Sequence, residues 1–192
     1  MEVTPLPTTQ EELYELLKST TVGGKRFVIN INEGGQIRSV VLIDAKELSS
    51  IEETLSLMED ADEIKRIKNG DLAVHTGDFL SENEIIEEFQ KLGHPTNIQR
   101  SYAQWHLVIA RQVRNTVFSF NFTEIQDLLK FLFNDLLSQH EKLGSRLLAD
   151  LSGLATVRHG EFRIIYRLDN TQKVLRVIEV QKNPDYQYVE PR

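Results

Sequence analysis

The sequence predicts an α+β protein, in which helices and antiparallel strands occupy separate stretches of the chain. Three observations favour this class. Two alternating strand patterns at 25–32 and 37–44 flank a glycine turn. Three further strand patterns with tight turns between them fill residues 154–181. Residues 123–144, by contrast, carry apolar side chains at helical spacing.

The N-terminal part predicts a helix, a β-hairpin and a second helix. The first helix is expected to begin at Thr8 or Thr9, because a threonine there can accept a hydrogen bond from the first turn. "VGG" at 22–24 ends it. The strands "KRFVININ" and "IRSVVLID" follow, joined by "EGGQ" at 33–36.

The middle of the chain predicts two more helices and a turn. Ser49 or Ser50 with Glu53 matches a capping box and indicates a helix start. "NGD" at 69–71 is typical of a turn. "SENEIIEEFQKLG", which starts at residue 81, predicts a short acidic helix with another capping box.

The C-terminal part predicts an antiparallel β-meander packed with helices. "GHPTN" at 93–97 is a natural joint, and "QWHLVIARQ" reads as a strand. The long helix over 123–144 is expected to bury one side, which consists of Ile125, Leu128, Leu129, Leu132 and Leu136. The predicted division is 1–68, 69–99 and 100–192.

Charge and composition narrow the class of function. The net charge is −7, but residues 1–99 carry −10 and residues 100–192 carry +3, which indicates mutual attraction or an acidic partner for the second half. The absence of cysteine excludes disulfides and favours a cytoplasmic location. The chain has no apolar run long enough for a membrane span, and its five histidines lack metal-ligand spacing, so we expect no metal and no cofactor.

A leucine-glycine segment, an arginine strand, a glycine-aromatic-arginine strand and a basic residue before a tyrosine recur in order near the C-terminus. With these features, residues 102–188 resemble the RelE/ParE superfamily of bacterial toxins, and RelE in particular. The matching residues are Leu151, Gly153, Arg158, Gly160, Phe162, Arg163, Tyr166, Lys182 and Tyr188.

The phrase "VVLIDAKELSSIEETLSLM" and the helix-hairpin-helix order make residues 8–68 similar to Phd/YefM antitoxins. The two resemblances together imply a toxin–antitoxin fusion with the antitoxin first. They imply an N-terminal homodimer, and operator DNA as a partner through Lys25, Arg26 and Arg38.

RelE-like toxins cut messenger RNA in the ribosome without a metal, so the resemblance implies the ribosome and mRNA as partners. It implies that Arg158 stabilises the phosphate, that Lys182 is a second cation and that Arg163 either holds the fold or adds charge. Tyr188 would transfer a proton or stack on a base. The basic residues Lys142 and Arg146 would contact RNA.

Three residues, Ile85, Ile86 and Phe89, are expected to pack on the toxin-like part and keep it inactive, since they are too apolar for a free linker. Alternatives stay open. Gln181-Lys182 stands where active relatives often have His-Arg, which is consistent with a ParE-like gyrase-binding protein with a degraded site. A non-enzymatic DNA-binding autorepressor and a plain two-domain protein are the others.

Overall fold

A computed structural model describes residues 2–91 and 104–182, and it confirms a mixed α+β protein. The chain divides into two compact units, Met1–Glu52 and Glu53–Arg192. The sequence instead places its divisions near residues 68 and 99. The observed boundary falls inside helix α2, Ala45–Met58.

The first unit contains a three-stranded sheet and a helix. Its elements before α2 are β1 (Glu2–Thr4), α1 (Gln10–Thr21), β2 (Phe27–Glu33) and β3 (Gln36–Leu42). β2 lies in the centre, parallel to β1 and antiparallel to β3. The sequence does not predict β1.

Local chemistry explains the start of α1 and the turn between β2 and β3. Thr9 caps α1: its hydroxyl accepts from the backbone N–H of Glu12 at 3.2 Å, and the Glu12 carboxylate accepts from the N–H of Thr9 at 3.3 Å. Gly34 and Gly35 take φ of +61° and +85°, and Glu33 pairs with Gln36 across them. Two consecutive positive φ values are what a two-residue hairpin turn requires.

The second unit is built on a six-stranded sheet of order β4-β5-β9-β8-β7-β6, in which β5 and β9 are parallel and the other neighbours are antiparallel. Its elements after α2 are α3 (Ala61–His75), β4 (Phe79–Ser81), α4 (Glu82–Lys91), β5 (His106–Ala110), α5 (Arg111–Phe118), α6 (Phe122–Lys130), a π-helical segment (Phe131–Leu136), α7 (Leu137–Leu143), β6 (Ser145–Arg146), a 3-10 turn (Ala149–Leu151), β7 (Leu154–His159), β8 (Phe162–Asp169) and β9 (Val174–Lys182).

The predicted long helix corresponds to α6, the π-helical segment and α7 in succession. The prediction of its buried side is confirmed, because all five residues are buried: Ile125, Leu128, Leu129, Leu132 and Leu136. Tyr166 of β8 ties α7 to the sheet, since its hydroxyl donates to the carbonyl oxygen of His140 at 3.1 Å. Burial raises the pKa of the Tyr166 phenol above its usual range.

Two local predictions are wrong. Ser49 and Ser50 do not begin a helix but lie inside α2, where the carboxylate of Asp44 accepts from the N–H of Lys46 at 2.9 Å instead. "NGD" at 69–71 is not a turn but lies inside α3. Gly70 stands there because a Cβ would meet the carbonyl oxygen of Ile178 on β9.

β4 is absent from the sequence prediction although it extends the sheet. Leu80 pairs with Ile109, so three residues before α4 add a strand to the edge of β5. A strand of three residues is too short for alternation to reveal it. Arg111 and Gln112, which the sequence places in the strand, begin α5.

Candidate functional site

Strand alternation gives the six-stranded sheet two different faces. Arg158 on β7 lies opposite Arg163 on β8, and Arg163 lies opposite Gln181 on β9, so these side chains share one face. The next row on this face, set by the same pairing, consists of Thr156, Ile165 and Glu179. We call this surface the arginine face.

Carboxylates from α2 and α3 hold both arginines of the first row. Nε and Nη2 of Arg158 donate to the two oxygens of Glu53 at 2.6 and 3.2 Å. Nη1 of Arg163 donates to Glu63 at 3.4 Å, and its Nη2 donates to the hydroxyl of Ser56 at 2.9 Å. The two guanidinium groups are therefore engaged by residues that lie about 100 positions earlier in the sequence.

Burial makes these ion pairs structurally important. The side chains of Arg163 and Glu63 are 5% and 11% exposed, and those of Arg158 and Glu53 are 12% and 13% exposed. A buried charge that loses its partner is strongly destabilising. Each arginine thus depends on the helices that cover it.

α3 continues along the same face. Arg167 donates to both oxygens of Asp71 at 2.8 Å, a bidentate pair. Nε of Arg66 lies 3.6 Å from the carboxylate of Glu179. Together with the close approach at Gly70, these contacts hold α3 against β8 and β9.

Glu179 is the most perturbed carboxyl group on the arginine face. Burial raises its pKa to about 7, although Arg66 and a hydrogen bond from Gln112 at 3.3 Å act in the opposite direction. The nearby charge of Glu63 raises the pKa further. This group therefore changes its charge near neutral pH at the contact between α3 and β9.

We expect Glu179→Gln to stabilise the protein at alkaline pH. The folded pKa lies above the ordinary value of 4.5, so the stability contributed by the protonated carboxyl is fully present below about pH 4.5 and is lost as the pH rises through about 7. The difference in unfolding free energy should be small in acid and reach about 1–3 kcal/mol in favour of the variant above neutral pH.

Denaturant titrations across this pH range measure the effect. Asp169→Asn is the control of opposite sign, because hydrogen bonds from the Gln172 N–H and from Arg176 lower the pKa of Asp169. That variant should lose stability at neutral pH and approach the unmodified protein in acid. A Glu179→Gln advantage that does not vary with pH would contradict the assignment.

Lys182 does not join the arginine pair. It shares a row with Phe162 and His159 on the other face of the sheet, where its ammonium donates to Glu124 at 2.7 Å. This hydrogen bond raises the pKa of Lys182 and lowers that of Glu124. Of the three predicted catalytic residues that the structure describes, Arg158 and Arg163 therefore lie side by side and Lys182 lies apart.

The remaining predicted RNA residues are dispersed. Lys142 is exposed on α7, and Arg146 is exposed on β6. Arg146 pairs with Ala155, so it points away from the arginine face. Tyr188 lies outside the described residues.

The predicted DNA-binding residues lie in the first unit. Lys25, Arg26 and Arg38 are exposed. Arg26 forms an ion pair with Glu47, and Arg38 forms one with Glu33 at 3.5 Å. Two of the three cations are thus matched by carboxylates of their own unit, which reduces the charge available for DNA phosphates.

The apolar residues predicted to hold the toxin-like part lie on α4. Ile85 and Phe89 are buried, whereas Ile86 is only partly buried. The ring of Phe89 lies 5.3 Å from that of Phe118 on α5. The α4 helix is therefore anchored in the core of the second unit by two side chains.

Within the described residues, no cluster of three or more histidine, aspartate or glutamate side chains could hold a metal ion. None of the helices in these same ranges is long and apolar enough to cross a membrane.

One curated protein is similar in sequence to part of the chain. No family model matches the chain. The toxin RelE of Mycobacterium tuberculosis is 32% identical over 54 residues, which is 28% of this chain and 56% of that toxin. This chain thus matches little more than half the length of its curated relative.

Two solved structures are also similar to part of the chain. The toxin–antitoxin complex RelBE2 of Mycobacterium tuberculosis covers 40% of this chain and 95% of its own, with 21% identity and a TM-score of 0.39. The archaeal RelE–RelB complex from Pyrococcus horikoshii covers 41% and 93%, with 21% identity and a TM-score of 0.32.

Proposed function

We propose that this protein is a single-chain toxin–antitoxin fusion, in which the earlier part of the chain silences a RelE-like endoribonuclease in residues 100–192. The sequence similarity to toxin RelE supports the toxin class. The observation that carries the proposal is the pair Arg158 and Arg163, held by Glu53 and Glu63 from the preceding helices.

The proposed reaction cleaves mRNA on the ribosome without a metal. The ribose 2′-oxygen bonds to the adjacent phosphorus as its proton passes to a base. The bond from phosphorus to the 5′-oxygen breaks, and that oxygen takes up a proton, leaving a 2′,3′-cyclic phosphate. Arg158 and Arg163 stabilise the negative charge that develops on the phosphorane, because a guanidinium fork matches two phosphate oxygens.

The same geometry explains silence in the fused chain. A carboxylate that accepts from two N–H groups of a guanidinium competes with a phosphate for those donors and cancels the positive charge that would attract it. Glu53 and Glu63 act as competitors that are always present, and α2 and α3 cover the surface where RNA would lie. Lys182 lies on the other face, so the proposal rests on the arginine pair.

A growth assay tests this function. Expression of residues 100–192 should arrest growth, expression of the full chain should be tolerated, and residues 100–192 with Arg158→Ala and Arg163→Ala should also be tolerated. Circular dichroism must show that both C-terminal fragments fold. A folded fragment with both arginines that leaves growth unchanged would exclude the proposed activity.

We also propose that the first unit forms a homodimer. Among its described residues, Phe27 and Ile29 are the only buried large hydrophobic side chains. Many others are exposed: Val3, Leu6, Leu13, Tyr14, Leu17, Val22, Ile37, Val40, Val41 and Leu48. So much exposed apolar surface on a small unit is typical of an interaction site, and a second copy presents the matching surface.

Sedimentation is expected to show a dimer at micromolar concentration. Ile37 and Val41 are 74% and 50% exposed and lie on the same face of the edge strand β3, so Ile37→Lys with Val41→Lys should produce monomers. Leu72→Lys, at an exposed position in α3, is the matched control and should leave the dimer intact. A monomeric unmodified protein would refute the dimer.

A further inference from the structure

Three polar atoms on the arginine face are buried without a hydrogen-bond partner among the described residues. They are Oγ1 of Thr156, Nε of Arg163 and Nε2 of Gln181. Thr156 is 2% exposed and Arg163 is 4% exposed. Nε of Arg163 lies 3.4 Å from Glu53, but without the geometry of a hydrogen bond.

The three atoms belong to neighbouring side chains. Gln181 lies directly opposite Arg163, and Thr156 lies two residues before Arg158, the other neighbour of Arg163. Native proteins leave few buried donors unbonded, because a donor removed from water loses its hydrogen bonds. Three such groups on one patch indicate that the arginine face has more hydrogen-bond donors than the helices covering it have acceptors for them.

The shape of the covering carboxylates explains why donors on the arginine face remain without partners. Glu53 and Glu63 each present a planar carboxylate with two oxygens, and Arg158 already engages both oxygens of Glu53. A phosphate group is tetrahedral and brings more acceptor oxygens. It can therefore accept from a guanidinium fork and from further donors that a planar carboxylate does not reach.

We propose that the arginine face is a phosphate-binding site in which Thr156 and Gln181 are ligands beside Arg158 and Arg163. Glu53 and Glu63 occupy this site in place of phosphate oxygens. The inference deepens the proposed function, because it adds two contacts for the phosphate of an RNA substrate. Hydroxyl and amide donors complete a site that two arginines alone leave partly unfilled.

Truncation of the covering carboxylates makes the site testable in the full chain. Glu53→Ala with Glu63→Ala removes both competing carboxylates from the two buried guanidinium groups. Inorganic phosphate should then raise the midpoint of thermal unfolding by about 5 °C more than it does for the unmodified protein. Chloride at equal ionic strength should not reproduce the rise.

Thr156→Val and Gln181→Leu test the two new ligands. In the alanine background they should abolish most of the phosphate-dependent rise. In the otherwise unmodified chain they should not lower the midpoint, because they remove donors that have no partner there. A fall in that chain would show that the two groups are already satisfied, and the inference would fail.

Glu88→Ala is the matched control, since it leaves Arg114, 38% exposed, without its ion pair away from this site. Phosphate stabilises many proteins by exclusion from their surface, so an equal rise in the control and in the alanine variant would overturn the site. Glu63→Ala alone serves if the double variant does not fold, with the same comparison. Growth arrest plays no part in this test. The phosphate site can therefore fail while the proposed function stands, and the proposed function can fail while the phosphate site stands.

Discussion

Replacing Ile85 and Phe89 with alanine is expected to destabilise the full chain by about 5 kcal/mol or more and to expose its C-terminal part to protease. The two side chains are 4% and 2% exposed. Truncating a buried phenylalanine costs about 3–5 kcal/mol, and a buried isoleucine about 2–5 kcal/mol. A loss of this size approaches the whole stability of an ordinary domain, so α4 should leave the core.

The acidic residues of the same helix provide the matched control. Glu84→Gln with Glu88→Gln should change stability by about 1 kcal/mol or less, because Glu88 pairs with Arg114, which is 38% exposed, and such partly solvated ion pairs contribute little. Glu84 accepts from the N–H of Ser81 in the capping box, a role that glutamine also fills. Denaturant titration and limited proteolysis measure both variants.

The asymmetry between the two variants is the test. If the glutamine pair releases the C-terminal part and the alanine pair does not, charge rather than apolar burial holds α4. The sequence groups Ile86 with Ile85 and Phe89, but Ile86 is only partly buried. Ile86→Ala should therefore cost less than Ile85→Ala.

Arg163→Met is expected to cost about 3–5 kcal/mol, because it leaves Glu63 buried without its partner. Glu63→Gln should also destabilise the protein, because it removes the negative charge that partners the buried guanidinium group of Arg163. The double variant should recover much of the loss, since replacing a buried ion pair by uncharged groups is often neutral. A double-mutant cycle on unfolding free energies measures this coupling.

Asp78→Ala gives the comparison on the surface. Asp78 pairs with Arg111, and both side chains are more than half exposed, so its loss should cost about 1 kcal/mol or less. Additive effects of Glu63→Gln and Arg163→Met would show that the two groups do not interact. The ion pair between Glu63 and Arg163 would then not hold α3 on the arginine face.

Elements fixed by local chemistry were predictable from the sequence. The capping box at Thr9, the Gly34-Gly35 turn and the buried stripe of α6 depend on residues close to one another in the chain. The turn prediction for "NGD" is wrong because Gly70 is required by the close approach of β9, more than one hundred residues later, and not by a turn. Tertiary packing there overrides local preference.

The candidate site was predictable only in part. The motif singled out Arg158 and Arg163, and the structure places them side by side. Of their partners, Glu53 is assigned by its sequence context to a capping box, and Glu63 carries no distinguishing signal, because acidic residues on a helix are usually solvated. The opposite charges of the two halves were the one indication. Which face Lys182 occupies depends on strand register, which a motif does not specify.

The most direct test of the covering role of residues 53–91 uses a chain with a protease site inserted at 93–97. After cleavage, the two fragments should elute together and leave mRNA intact in a translation reaction. After the fragments are separated in denaturant and the C-terminal one is refolded, it should cleave mRNA. Fragments that part without denaturant, or a folded C-terminal fragment that remains inert, would contradict the account.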